Sequence, residues 1–378
     1  MKKITISVIK ADVGSVGGHT KPSEKMLTRM HELMKKGIEI GLLIDGTVKY
    51  TGDDICLIMS HQWGVGAPHI HRYVWDCFKA ATAIAEQQGC YGAGQDLLVS
   101  APSGNVRGAG PAVAEIEFVR DRENKERPVE TFLVFGADKC GPGAYNLPLY
   151  QVFCDPMHNG GILLSPKLHK GFTLQIIDMD HKDGDRIIKL DMPERIWDAA
   201  ALLRDIDRYA IEAIYSRHKP DEQIVSVSAT RLHNIAGKYT GKDDPVAIVR
   251  TQGMFPAPEE IVEPYYLGHY VTGDARGSHV MPIMPVAINT TVAGPYCHPI
   301  VSCIAFSMDI DGKFTEEIID IFGNSIWDAT RHKIVNKAEE FRRQGFFGVT
   351  MASHQELAYT GIVDTIISLD KEFTVRHS

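Results

Sequence analysis

The chain has no CxxC pair: its seven cysteines, at positions 56, 77, 90, 140, 154, 297 and 303, are odd in number and scattered. That pattern excludes a disulfide framework and a zinc ribbon, and suits reduced thiols in a cytoplasm. No apolar run approaches the roughly 18 residues a membrane helix needs. The start, Met1 to Lys10, has too short an apolar run for a secretory signal, so a cytoplasmic protein is expected and the sequon Asn289-Thr290-Thr291 reads as chance. There is no basic excess either. The formal net charge is −8 and Lys and Arg are not clustered, which excludes a general nucleic-acid surface but leaves room for a small anionic substrate. The glycine-rich turn Gly14-Ser15-Val16-Gly17-Gly18-His19 lacks both the Gly-Lys-Ser/Thr ending of a P-loop and the GxGxxG spacing of a dinucleotide site. No low-complexity linker divides residues 1–378, so one domain is expected.

What is present is ordinary globular composition, 44% hydrophobic and 23% charged. Ile4, Ile6 and Val8 alternate as a half-buried first strand that delivers Asp12 at its end. Ser23 to Lys36 reads as an amphipathic helix stopped by Gly37, with Met26, Met30, Leu33 and Met34 in the core, and Pro68 to Gln88 as a longer helix. Val48 to Ser60 is a strand pair interrupted at Gly52-Asp53-Asp54. Val113 to Val119 and Thr131 to Phe135 read as a hairpin, as do Phe172 to Met179 and Arg186 to Leu190. Gly141 to Pro166 reads as ordered loop and short strand, and Pro193 to Arg217 as one helix. Further strands are expected over 224–229, 246–251, 280–289 and 300–309. Thr315 to Arg343 gives a long helical pattern, and Phe347 to Met351 and Ile362 to Leu369 give short strands. Paired strands with helices between the groups predict an α+β fold of largely antiparallel sheet covered by helices.

Acidic turns follow four apolar strands: Asp12, Asp53 with Asp54, Asp138, and Asp243 with Asp244. Any one aspartate at a strand end is more often a turn former than a ligand. Two vicinal pairs shift that balance. Together with His19 and Gln95 they would make oxygen-rich sites suited to Mg²⁺, with Mn²⁺ as the alternative, rather than zinc. Several such cations close together make sense on a phosphate ester, where they bridge oxygens, activate water and offset the leaving group. The segment Lys49-Tyr50-Thr51-Gly52-Asp53-Asp54 reappears as Lys238-Tyr239-Thr240-Gly241-Lys242-Asp243-Asp244 with one lysine inserted, a shared strand-turn-diacid design. Neighbouring carboxylates would keep Lys242 protonated; cations on Asp243 and Asp244 would reverse the local field and open the amine to imine chemistry, with Tyr239 as proton donor and acceptor. The bland alternative is a solvated ion pair for Lys242 and an edge-packed strand residue for Tyr239. Arg107 and Arg276 lie in small-residue loops that can approach a phosphate. His69 and His71, two apart on a helix, diverge and are not read as a zinc pair.

These motifs, with Ala93-Gly94-Gln95-Asp96-Leu97-Leu98, Ser103-Gly104-Asn105-Val106-Arg107-Gly108, Pro142-Gly143-Ala144-Tyr145-Asn146-Leu147-Pro148, Gly241-Lys242-Asp243-Asp244-Pro245 and Arg276-Gly277-Ser278-His279, resemble the bifunctional fructose-1,6-bisphosphate aldolase/phosphatases of archaea and deep-branching bacteria. The resemblance implies a four-layer α-β-β-α sandwich assembled as a homo-octamer. It implies a gluconeogenic enzyme that condenses dihydroxyacetone phosphate with glyceraldehyde 3-phosphate and then hydrolyses the C1 phosphate. Lys242 would be the Schiff-base lysine, Tyr239 the aldol acid/base and Tyr359 the tyrosine of the phosphatase step. Asp12, His19, Asp53, Asp54, Gln95, Asp138, Asp243 and Asp244 match the metal ligands. His19, Tyr91, Gly104, Asn105, Lys139, Lys242, Gln252, Gly253 and Arg276 match the substrate contacts. Two runs depart from the family: Asp138-Lys139-Cys140-Gly141-Pro142 where Asp-Lys-Thr-Glu-Pro is usual, and Tyr296-Cys297-His298-Pro299 where Phe-Asp-Gly-Pro is. A thiol at Cys297 cannot accept sugar hydroxyls as a carboxylate does, which raises the alternative of a Mg²⁺-dependent phosphatase of another sugar phosphate without aldolase activity.

Overall fold

The computed structural model describes residues 2–97, 110–120, 129–181, 186–229, 241–272, 280–292, 298–343 and 361–376. The first sheet holds β1 (Lys2–Asp12), β2 (Asp45–Thr51), β3 (Asp54–His61) and β4 (Ala112–Arg120) in the order β2-β3-β1-β4, every pair antiparallel. The second begins with β5 (Glu130–Asp138), β6 (Phe172–Asp178), β7 (Arg186–Met192), β8 (Tyr209–Ser216), β9 (Gln223–Val227) and β10 (Val246–Thr251). A separate short pair is β11 (Tyr270–Thr272) with β12 (Val280–Pro282). To the large sheet are added β13 (Met284–Pro285), β14 (Ile300–Met308), β15 (Ile319–Asp320) and β16 (Thr374–Val375), giving β13-β14-β5-β10-β9-β8-β6-β7-β16 with β15 beside β14. Only the β13–β14 contact in that sheet is parallel among the described strands.

Period-two alternation puts the sheets face to face. Ile4, Ile6, Val8, Cys56, Ile58, Ile116 and Phe118 of the first sheet pack against Phe132, Val134, Val246, Ile248, Ile304 and Phe306 of the second. The alternate residues point outwards. Ile9, Ala11, Ile55, Leu57 and Met59 meet α1 (Glu24–Glu39) and α2 (Pro68–Gln87), whose Met26, Met30, Met34, Val74 and Phe78 are buried there. On the far side, Leu133, Phe135, Ala247, Val249 and Cys303 meet Leu149, Phe153, Ala199, Leu202 and Leu369 of the helices over 146–153, 196–203 and 362–370. The layers therefore run helix, sheet, sheet, helix.

Several expected elements differ, each for a local reason. Helix α1 runs through Gly37 to Glu39, because Gly37 is a packing position where a Cβ would meet the Tyr73 ring and Leu43. The segments 113–119 and 131–135 are strands but not a hairpin; they lie in opposite sheets and meet through Phe118 and Phe132, ring centroids 5.5 Å apart. The stretch 193–217 is a helix only over Ile196–Leu203 and then becomes β8. An irregularity in the β6–β8 register leaves Glu212 between Ile211 and Ala213, so Ile211 and Ile214, three apart, both reach the same core and mimic a helical stripe. Residues 141–166 hold helices at Asn146–Phe153 and Gly160–Leu164, the second capped by Asn159. Between 280 and 289 the prolines at 282 and 285, which have no N–H to give, leave only β12 and β13. The long C-terminal pattern becomes helix only at Asp328–Arg343, since Asp320 ties Ile288 and Gly323 into a turn. Ile362–Asp370 is a helix, not a strand, with Ile362 and Leu369, about two turns apart, on the one face that meets the core. The strand expected at 347–351 lies outside the described residues.

Candidate metal centre and its lysines

The inward parity of four strands runs from apolar residues to an acid at one end of the sandwich. On β1 it reads Val8, Lys10, Asp12; on β3, read backwards, Ile58, Cys56, Asp54; on β5, Val134, Gly136, Asp138; and into β10, backwards, Ile248, Val246, Asp244. Antiparallel pairing aligns the ends: Asp12 faces Asp54, and Val246 faces Gly136. The same alternation that builds the core thus delivers the carboxylates to one place.

Two groups result. In Asp12, His19 and Asp53, and again in Asp54, Asp138 and Asp244, one ligand atom from each residue lies within 4.8 Å of the others. His19 Nδ1 is 2.9 Å from Asp53 Oδ2, and its ring stands edge-on to Tyr91 at 4.8 Å. Tyr91 is pinned to the glycine-rich turn by reciprocal backbone bonds with Ser15. Lys139 Nζ donates to Asp53 Oδ1 at 2.5 Å and Asp138 Oδ1 at 2.9 Å, tying the groups together. Lys139 and Asp244 both adopt left-handed backbone, φ 59° and 53°, which costs a non-glycine residue on the order of 1 kcal/mol or more. Reciprocal bonds hold them there: Cys140 N–H donates to Asp244 Oδ1 and Asp244 N–H to Cys140 O, each at 2.8 Å. Gly52, at φ 59°, has no alternative, since a Cβ would overlap the Asp138 carboxylate.

Burial sets the electrostatics. Asp12 and Asp138 are pushed well above the ordinary carboxylate range by burial and by neighbouring carboxylates, and Asp54 to about 7 for the same reasons despite Lys10. Asp53 goes the other way: burial is outweighed by Lys139 and His19, and its carboxyl lies below the usual range. Asp138 Oδ2 is buried with no hydrogen-bond partner among the described residues. Orphaned carboxylate oxygen, oxygen-rich donor sets and unrelieved repulsion between acids all fit hard divalent cations.

Lys242, 3% exposed, enters the same end, its Nζ 3.4 and 3.5 Å from the two Asp96 oxygens. Burial lowers its pKa, but Asp96, Asp244 and Asp54 outweigh that and hold it above the ordinary lysine value. Asp243 is half-buried and Gln95 half-buried beside Gly92, both outside the two groups of three. Gln252 and Gly253 are not brought to this place; they are exposed at the opposite end of β10, roughly 25 Å away at a strand's rise of about 3.3 Å per residue. Gly104, Asn105, Arg107, Tyr239, Arg276, Cys297 and Tyr359 lie outside the described residues. Sequence reasoning missed Lys10, buried at 1% exposure and bonded to Asp54, and passed over Asp96 as a partner of Lys242. The signal for Lys10 was its parity, since it shares the inward face with Ile4, Ile6 and Val8.

A family model described as fructose-1,6-bisphosphatase matches residues 3–374. A fructose-1,6-bisphosphate aldolase/phosphatase of Thermus thermophilus is 51% identical over 373 residues, covering 98% of this chain and 100% of that protein. Proteins of the same name from Cenarchaeum symbiosum and Ignicoccus hospitalis are 42% and 39% identical, over 94% and 98% of this chain and 91% and 93% of theirs.

Proposed function

The chain belongs to the fructose-1,6-bisphosphate aldolase/phosphatase family, and from that premise we propose that it makes fructose 1,6-bisphosphate from two triose phosphates through a Schiff base on Lys242 and then releases the C1 phosphate with Mg²⁺. The observation that carries this is a buried lysine set beside two acidic groups that could hold divalent cations.

In the aldol half, the Lys242 amine adds to the C2 carbonyl of dihydroxyacetone phosphate, and loss of water gives the iminium. Removal of a C3 proton gives the enamine, whose carbon bonds to the aldehyde of glyceraldehyde 3-phosphate while that oxygen takes a proton. Tyr239 is the proposed acid and base. Hydrolysis of the product iminium frees the lysine. In the second half, Asp12, His19 and Asp53, with Asp54, Asp138 and Asp244, would hold the cations, joined by Gln95 and Asp243. Bound Mg²⁺ supplies charge neutralisation at the phosphate, an activated water and an offset for the leaving oxygen. Lys139, which bridges the two groups, is the proposed contact for a phosphate oxygen, and Tyr359 is assigned to the phosphatase step. Gly104, Asn105, Arg276 and Tyr91 are proposed substrate contacts.

A cytoplasmic homo-octamer acting on free sugar phosphates completes the proposal. Six described cysteines are all free, in keeping with a reducing compartment, and no described helix is long and apolar enough to cross a membrane. Cys297, in place of the family's aspartate, favours one second reading: a phosphatase for another sugar phosphate that lacks the aldol step. The deciding experiment incubates the protein with Mg²⁺ and dihydroxyacetone phosphate, adds borohydride and maps the adduct by mass. An adduct on Lys242 is expected. None, with normal phosphate release from fructose 1,6-bisphosphate, sinks the aldol half.

A further inference from the structure

Asp96 is buried at 6% exposure, and its two oxygens are fully engaged. Oδ2 accepts from the backbone N–H of Asp12 at 2.8 Å and Oδ1 from that of Gly110 at 3.2 Å, while Lys242 Nζ lies 3.4 to 3.5 Å from both. The two backbone bonds fix the carboxylate as a rigid bracket rather than a free side chain. One of them starts at Asp12, the strand end that belongs to the first acidic group. Lys242 has a long stem with several rotatable bonds and sits among competing carboxylates, so its aim needs a fixed partner.

We infer that Asp96 is a positioning residue for Lys242: it ties the amine to the Asp12 strand end, so that the lysine reaches a carbonyl held over the acidic groups. This rests on the Schiff-base reading above. Asp96 has no contact with substrate in this account and acts only through Lys242. Misplacing a reacting group by about 1 Å costs on the order of 100-fold in rate, so the bracket has catalytic weight without chemistry of its own.

The Asp96→Asn variant tests it. The amide oxygen can still accept from Asp12 N–H, which keeps that strand end in place, while the amide nitrogen, a donor, meets the Gly110 N–H and one side of the Lys242 amine; the variant thus loses the Gly110 bond, half of the Lys242 contact and the charge that aims it. Borohydride trapping of dihydroxyacetone phosphate on Lys242 is then expected to slow by ~10-fold or more, against a fall of no more than ~3-fold in phosphate release from preformed fructose 1,6-bisphosphate. Equal losses in both assays would make Asp96 merely structural and overturn the inference, as would trapping at the native rate. If Asp96→Asn does not fold, Asp96→Glu, which keeps the charge but shifts it by one methylene, is judged by the same split. A native protein that itself gives no adduct removes the Schiff-base reading and the inference with it. A native adduct undiminished in the variant removes the inference alone.

Discussion

The space between the two sheets ends differently at its two extremities. At one end Arg250, 1% exposed, is held by Glu130 at 3.2 and 3.3 Å, by Glu222 and by the Gln223 carbonyl, and lies over the rings of Phe118 and Phe255. Four of its five N–H groups have a protein acceptor, two carboxylates among them, and ring faces cover the guanidinium plane. At the other end, among the described residues, Asp12, Asp53, Asp54, Asp96, Asp138 and Asp244 are met by Lys10, Lys139, Lys242 and His19, and an Asp138 oxygen has no partner among them. A buried charge group that closes on itself has a structural task. One that stays net negative among the described residues, on strained backbone, could hold a cation from outside.

The largest effect expected from breaking this contrast is on rate. Asp138→Asn is predicted to lower phosphate release by about 10³-fold, on the scale of removing a group that stabilises transition-state charge. Arg250→Met should leave activity per folded molecule within about 3-fold, as measured on the fraction still folded. That same variant should carry the larger stability penalty, about 3–5 kcal/mol in urea unfolding, because the buried Glu130 loses its Arg250 ion pair; Arg250→Met with Glu130→Met should recover most of it. Third, Mn²⁺ or Mg²⁺ at about 100 times its Kd should stabilise the native protein by about 2.7 kcal/mol, seen as a rise in Tm, and Gly52→Ala, which displaces the Asp138 carboxylate, should abolish most of that rise.

Smallest is a pH effect, stated as a direction. In chelator, Asp54 is raised from 3.8 to about 7, so the folded protein binds the proton more tightly than the unfolded chain. Its contribution is present below pH 4 and lost as pH rises through 7. The stability difference between native protein and Asp54→Asn, both metal-free, should shift against the native protein across that window. A difference that grows with pH would contradict the electrostatics described for this end.

Much of this was legible in the amino-acid order. The alternation of Ile4, Ile6 and Val8 leading to Asp12, and the two diacid turns, marked the first strand and the acidic strand ends; the four-layer sandwich followed only from the family resemblance. Period-two reasoning failed where the chain departs from period two: the displaced Glu212 made β8 look helical, and the β-branched run Ile362 to Ile367 made a helix look like a strand. Charge reasoning failed at Lys10 and Asp96 for a different cause. A lysine in a strand and an acid beside a glutamine read as surface residues unless the burial of both faces is known, and that depends on which sheet covers which. Gln252 and Gly253, named through the resemblance, are placed by β10 at the Arg250 end of the molecule, a separation that motif spacing does not encode.

Counting Mn²⁺ bound per chain by electron paramagnetic resonance tests the central claim most directly. The account predicts at least two ions bound per native chain, one for each acidic group, with fewer in Asp138→Asn and no loss in Arg250→Met. Native protein that binds no more Mn²⁺ than Asp138→Asn would contradict it.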